Sequence, residues 1–307
     1  MSILVTGASG FVGGALVRRL VGEGKEVHLL LRSASSRQRM EGLSGLRIHE
    51  ADLRDADRVS AVVSEIRPRV IYHCAVYGGF SSQNGTSAIF YTNLMGTIHL
   101  LQACERAGFD LFVNTGSSSE YGIKNHPLHE DDPALPIGDY GTAKCAATMH
   151  CRSEALLKGL PVVTLRLFSP YGPWDDQRRF IPYLIRCLAA GEAPRLSTPR
   201  SVRDYIFIDD VLDLYGAVTD AAVIPGEVYN AGSGRQHTIG EVADILHRII
   251  GGPEPVWGQE QPHRPEPEMW LADISKAAAV FGWQPSQSLE EGLRRTVEWF
   301  RATHRFP

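Results

Sequence analysis

Through residue 167, short strand-like runs rich in apolar residues alternate with longer stretches in which apolar residues recur every third or fourth position. The runs cover 3–6, 26–31, 46–50, 70–73, 111–115 and 162–167. They are strand-like in length and apolar content. The helix-period stretches begin near Phe11, Asp55, Ala88 and Tyr140. Parallel strands need helical crossovers, and those crossovers are right-handed, so this alternation predicts an α/β fold with a doubly wound parallel sheet. After Leu167 the alternation is lost, and proline, aromatic and arginine residues crowd 170–203. Helices are then expected over 209–222 and 238–250, with a strand over 227–230. A Pro-rich loop over 251–267 and an amphipathic helix over 288–303 follow. The expected division is a main domain over 1–167, with 203–232 returning to it, and a smaller C-terminal lobe built from 168–202 and 233–307.

The first strand runs into Gly7-Ala-Ser-Gly10-Phe-Val-Gly13, which opens the first helix. Glycine permits a tight turn and lets a ligand approach the backbone, while the unpaired N–H groups of a helix start favour an anion. A strand, a glycine turn and a helix in that order predict a pyrophosphate cradle of Rossmann-like type, formed by Gly7, Ser9, Gly10, Phe11, Val12 and Gly13. The second strand ends in Leu-Leu-Leu-Arg32-Ser33, with Arg37 further on. A carboxylate placed there accepts a ribose 2′-hydroxyl and selects NAD. Arg32 and Ser33 suit a 2′-phosphate instead, so NADP(H) is the favoured cofactor and NAD(H) the alternative.

Tyr140 and Lys144 lie four apart on one expected helix, and so share a face. Free tyrosine titrates near ~10, and a neighbouring cation brings its phenol into a range useful for proton transfer. A surface Tyr–Lys pair without function has the same spacing. What surrounds it decides between the two readings.

The Gly-x-x-Gly-x-x-Gly turn, Asp52-Leu53, His73-Cys74-Ala75, Asn93, Ser117, Tyr140-x-x-x-Lys144, Arg203-Asp204 and Arg264 together resemble the extended short-chain dehydrogenase/reductase family. These are the NAD(P)-dependent nucleotide-sugar epimerases, dehydratases and ketoreductases. The resemblance implies a catalytic set of Ser117, Tyr140 and Lys144, with Ser118 and Ser119 open as alternatives to Ser117. It places Asp52 and Leu53 beside the adenine, Ala75 and Asn93 along the cofactor, and Lys144 on the ribose. Arg203 and Arg264 become the diphosphate contacts of a nucleotide sugar, although Arg203 can equally pair with Asp204 or Asp209. Arg166-Leu-Phe-Ser169-Pro-Tyr-Gly-Pro173 carries Ser169 where such enzymes usually have Asn, which leaves one substrate contact in doubt. Tyr77-Gly78-Gly-Phe80 reads either as a wall over the sugar or as an ordinary turn.

The 4,6-dehydratases of this family carry an acidic residue two positions before the tyrosine matching Tyr121. Here that position and the one before it are Ser119 and Ser118, and hydroxyls are too weakly acidic to replace a carboxyl. Glu120 restores a carboxyl only if the alignment shifts by one. The expected activity is therefore NADPH-dependent 4-ketoreduction of a nucleotide-linked 4-keto-6-deoxyhexose. The alternative is 4-epimerisation, and a dehydratase or an idle NADP-binding protein ranks lower.

Composition narrows the setting. In 307 residues with 43% apolar content there is material for one large domain or two sharing a cleft. A net charge of −4 gives no footprint for nucleic acid or an anionic membrane. Five cysteines without CxxC spacing read as reduced thiols rather than a disulfide frame or metal site, and no secretory pattern opens the chain. No metal is expected, no run is long enough to span a bilayer, and the cytoplasm is the expected location. The family resemblance implies a homodimer through 88–106 and 140–158, with Leu94, Ile98, Leu101, Ala143, Ala147 and Leu156 as candidate contacts that can equally face the sheet. The two histidines considered as bases, His73 and His129, lack partners at triad or ligand spacing.

Overall fold

The computed structural model describes residues 2–79, 82, 83, 85–258 and 267–303. In chain order the elements begin β1 (Ile3–Thr6), α1 (Phe11–Gly22), β2 (Val27–Leu31), β3 (Leu46–Glu50), α2 (Ala56–Ile66) and β4 (Val70–His73). Next come α3 (Thr86–Phe90), a π turn (Tyr91–Met95), α4 (Gly96–Ala107), β5 (Leu111–Ser117), a 3-10 turn (Ser118–Glu120), α5 (Gly138–Lys158) and β6 (Val162–Leu167). The remainder is β7 (Ser169–Tyr171), α6 (Phe180–Ala189), β8 (Arg195–Leu196), β9 (Val202–Phe207), α7 (Ile208–Asp220) and β10 (Val228–Ala231), then β11 (Gln236–Thr238), α8 (Ile239–Ile250), β12 (Val256–Trp257), α9 (Ser275–Phe281) and α10 (Leu289–Ala302).

The chain forms two compact units. The first comprises 1–122, 130–167 and 212–230. Its seven-stranded sheet has the order β10-β6-β5-β4-β1-β2-β3, and β3 through β6 pair in parallel. The order reverses at β1, between β2 and β4, and such a reversal opens a crevice at the strands' C-terminal ends. Leu4, Ile71, Phe112 and Val162 point to one face, where Val59 and Val63 of α2, Leu100 and Cys104 of α4, and Cys151 and Ala155 of α5 cover them. Alternation along a strand sends Tyr72 to the other face, where its hydroxyl meets Thr219 at 2.6 Å. The expected strands are all present, with β5 extending two residues further, to Ser117.

The expected helix near Ala88 is three pieces, α3, the π turn and α4. A π turn inserts an extra residue per turn, which periodicity alone does not reveal. The second unit comprises 123–129, 168–211 and 231–307, and holds the three-stranded sheet β11-β9-β7 and the pair β12-β8. Residues 123–129, 203–211 and 231–232, expected in the main domain, lie in the second unit: β9 pairs with β7 and β11 instead of joining the large sheet, and Leu128 bridges Ala272. The return to the first unit runs over 212–230. Among the described residues, no helix is long and apolar enough to cross a membrane.

Candidate active site

The glycine turn is built as a cradle. Gly7 has φ +74, and a Cβ there would lie 2.5 Å from the nitrogen of Ala75 and the carbonyl of Cys74. A Cβ on Gly13 would collide with the carbonyl of Gly7. Gly10 is the N-cap of α1 and has no side chain to cap the helix, so the first-turn N–H groups keep their preference for an anion. These features fit the pyrophosphate of a dinucleotide. Ser9 and Val12 are half-buried and Phe11 is buried.

A residue that the sequence reading passed over reaches this turn from a distance. Arg39 donates from Nη1 to the carbonyl of Ser9 at 2.8 Å, and its side chain would meet a Cβ on Gly14 at 3.0 Å. No local pattern signals it, because 30 residues separate the partners. Arg32 and Ser33, just past β2, are exposed. Asp52 is clamped by Arg54 through 2.7 and 3.0 Å bonds, which hold its carboxyl below the ordinary range. With Ser87, Ala88 and Tyr91, these two residues line an open cavity of about 620 Å³. Leu53 is buried beside Gly96.

The segment after β4 is tied down by Asn93. Its Oδ1 accepts the N–H of Tyr77 at 2.9 Å and its Nδ2 donates to the carbonyl of Tyr77 at 2.7 Å. Asn93 thus shapes the loop beside Ala75 through its own side chain. Gly78 has φ +91, donates its N–H to Gln83, and lies against the ring of Tyr140, whose Cδ2 would be 3.5 Å from a Cβ there. Phe80, the far end of the expected wall, is outside the described residues.

Ser117 ends β5 and caps the 3-10 turn. Its Oγ accepts the N–H of Ser119 at 3.2 Å, and its own N–H donates to Oε1 of Glu120 at 2.8 Å. This is a capping box, and its signature, Ser-x-x-Glu over 117–120, was available in the sequence. Ser118 is buried and Ser119 half-buried. The carbonyl of Ser119 would be 2.7 Å from a Cβ on Gly141, so only glycine lets α5 approach that closely. Tyr140 and Lys144 stand on the first two turns of α5. Lys144 is 2% exposed. Burial holds its ammonium below the usual lysine range, and the charge of Glu120 opposes that shift. Ser117, Tyr140 and Lys144 therefore gather where β4 and β5 end.

Glu120 is fully buried, and its other oxygen accepts Nε of Arg166 at 2.8 Å. The shifted alignment that would make it a substrate-facing acid does not describe this geometry. His73 is also fully enclosed, bonded to Thr6 at 2.7 Å and Thr97 at 2.9 Å. It is built into the fold.

In the second unit, Arg203 of β9 donates to the carbonyl of Val202 at 2.6 Å, and Ser169 opens β7. Asp204 is occupied otherwise than by Arg203: its carboxylate accepts the N–H groups of Ser233, Gly234 and Ala272. Arg264 is outside the described residues.

Residues 3–232 match the model of the NAD dependent epimerase/dehydratase family. The chain belongs to that family. It is an extended short-chain dehydrogenase/reductase, and the resemblance drawn from its motifs holds over the whole length. It is 31% identical to a UDP-glucose 4-epimerase of Mycolicibacterium smegmatis, over 98% of this chain and 99% of the relative. The structure superposes with a TM-score of 0.91 on the UDP-glucose 4-epimerase of Thermotoga maritima solved with UDP-glucose, at 28% identity, covering 99% of this chain and 100% of that one. With a TM-score of 0.87 and 28% identity it also matches UDP-glucuronic acid 4-epimerase from Bacillus cereus, solved with UDP-glucuronic acid and NAD, over 99% and 100% of the two chains.

Proposed function

We propose that the protein inverts the configuration at C4 of a nucleotide-diphosphate hexose. The observation that carries this reading is the chemistry around the end of β5. Ser117 ends that strand, and the α5 turns that carry Tyr140 and Lys144 pack close to Ser119; serines occupy 118 and 119, and the only carboxylate of the 117–121 segment is held by Ser117 and Arg166. Such a site suits moving a proton on and off a sugar oxygen, while the one carboxylate of this segment is not free to serve an elimination of water between C5 and C6. Full-length similarity to 4-epimerases supports the same reading.

A dinucleotide held on the glycine turn supplies hydride acceptance and return at C4. Tyr140 takes the proton of the sugar O4 during oxidation and gives it back on reduction. Lys144 favours the phenolate by its charge and holds the cofactor ribose. Ser117 accepts the N–H of Ser119 through its oxygen, which leaves its hydroxyl hydrogen to be donated to the sugar oxygen. Between the two half-reactions the 4-keto sugar turns its other face. Ser169 and Arg203, with Arg264, are assigned to the nucleotide sugar, and a second copy of the chain completes a homodimer.

One observation favours a second reading, 4-ketoreduction with NADPH. Arg32, not a carboxylate, follows β2, which suits an exchangeable cofactor with a 2′-phosphate. One experiment separates the two. The cofactor released by denaturing the purified protein is identified, and the protein is incubated with UDP-hexoses and, separately, with NADPH and a dTDP-4-keto-6-deoxyhexose. The 4-epimer formed without added cofactor supports the first reading. NADPH oxidation only in the second mixture replaces it with ketoreduction. Neither activity refutes both.

A further inference from the structure

Glu120 has no step in this chemistry, yet it lies at the head of β5 directly beneath Ser117. It is buried with Arg166, which is 4% exposed. Oε1 accepts the N–H of Ser117 and Oε2 accepts Nε of Arg166, each at 2.8 Å. The guanidinium lies 4.4 Å from the ring centroid of Tyr121, and the Tyr121 hydroxyl donates to Oδ1 of Asn230 at 2.7 Å. Room for the pair comes from Gly116, where a Cβ would fall 2.7 Å from Oε1 and 3.1 Å from Cγ of Arg166.

A buried ion pair is a poor way to gain stability, since apolar residues of similar volume do as well or better. What apolar residues do not provide is an acceptor for the Ser117 N–H. Ser117 is the last residue of β5, with φ −149 and ψ 143, and the next residue begins the 3-10 turn. The β5–β6 ladder has its final register at Ser117, so beyond it the backbone direction rests on the capping box. Glu120 holds the Ser117 peptide from below while the Ser119 N–H holds its Oγ. Two bonds, one from its backbone N–H and one accepted by its Oγ, fix where the serine oxygen sits and leave its hydrogen to be donated.

We propose that Glu120, clamped by Arg166, is the positioning residue of Ser117, aiming the serine hydroxyl at the substrate oxygen without itself touching substrate. The inference rests on the assignment of Ser117 above. It gives a task to a carboxylate that would otherwise be an inert charge under the site.

The test compares two pair replacements that both remove the buried ions. E120Q/R166M keeps an amide oxygen for the Ser117 N–H, whereas E120L/R166M removes it. With the nucleotide sugar that turns over in the panel above, E120Q/R166M should keep kcat within about threefold. E120L/R166M should lose about tenfold or more, with KM and cofactor affinity within about twofold. The triple variant, S117A added to E120L/R166M, should turn over no more slowly than S117A by itself, because both act through one hydroxyl. Equal kcat in the two pair replacements, or losses that multiply in the triple variant, would overturn the proposal. If S117A alone keeps full turnover, the assignment of Ser117 is what fails, and the proposal fails with it. Should either pair replacement not fold, the wild-type protein decides without substrate: the Ser117 amide, assigned in a 15N-serine spectrum by its loss in S117A, should exchange with deuterium at least ~100-fold more slowly than an open amide. Exchange at the open rate means that the Glu120 bond is not there.

Discussion

Between pH ~7.5 and ~5 an unfolded histidine gains a proton, but His73 does not. The reason is a directed chain of hydrogen bonds. The Thr97 hydroxyl donates to the carbonyl of Asn93 at 2.6 Å, so it accepts from Nε2–H of His73 at 2.9 Å. Nδ1 must then accept the Thr6 hydroxyl at 2.7 Å, and Thr6 in turn accepts the N–H of Ala75 at 3.3 Å. A second ring proton would meet an oxygen whose own hydrogen already points at the ring. Burial, with the nearby charge of Lys144, pushes the imidazole down to about 3. The folded value is below the unfolded one, so the stabilisation is complete above pH ~6.5 and is lost as pH falls towards ~3. At pH ~5 the loss is about 2 kcal/mol, from ~1.5 units at ~1.4 kcal/mol each. At roughly 2–4 °C per kcal/mol, this lowers Tm by about 4–8 °C. His73→Gln keeps a polar group but does not titrate, and should be about 1–2 kcal/mol less stable than wild type at pH ~7.5 because one of the two bonds is lost. Calorimetry of both proteins across this range should show the Tm gap closing by pH ~5. The difference between the two curves cancels the carboxylates they share. A gap that stays constant from pH ~7.5 to ~5 would refute the buried neutral imidazole.

Tyr140→Phe should fold and bind cofactor normally while turnover on a confirmed substrate falls by about 10² or more; near-normal turnover would remove Tyr140 from the proton step. Lys144→Ala should weaken both turnover and cofactor binding by titration, and a loss of turnover alone would take the ribose from its duties. Titration of NADP(H) and NAD(H) into wild type and Arg32→Ala should show a preference for NADP(H) that the variant loses, whereas equal affinities in wild type would count against a 2′-phosphate contact. Sedimentation at micromolar concentration should give a dimer joined through the outer faces of the π turn, α4 and α5. Tyr91, Met149 and Leu156 are exposed there and Leu94 and Ile98 partly so, while Leu101, Ala143 and Ala147, among the sequence candidates, are spent on the first unit's own core. A monomer at that concentration would end the dimer proposal.

What the chain determines by itself is whatever depends on near neighbours. Apolar runs at strand period and apolar stripes at helix period identify β1 to β6 and α1, because burial needs only the right face at the right spacing. Gly7, Gly10 and Gly13 announce a turn that admits no Cβ, and Tyr140 and Lys144 share a face because they are four apart on a helix. The Ser-x-x-Glu box at 117–120 was equally local, and was legible as a cap.

Tertiary structure alone decided the rest. Glu120 reads along the chain as a carboxyl beside an active-site serine, and only Arg166, 46 residues on, turns it inward. Asn93 reads as a cofactor contact, and its fold partner is the backbone of Tyr77. Arg39 becomes part of the glycine turn across 30 residues, and β9 leaves the large sheet because β7 and β11 offer its edges partners. Local propensity records what a residue can do within a turn or two. Which buried charge meets which partner, and which sheet a strand joins, depends on the path of the whole chain, since a buried polar group is stable only where a distant residue completes its hydrogen bonds.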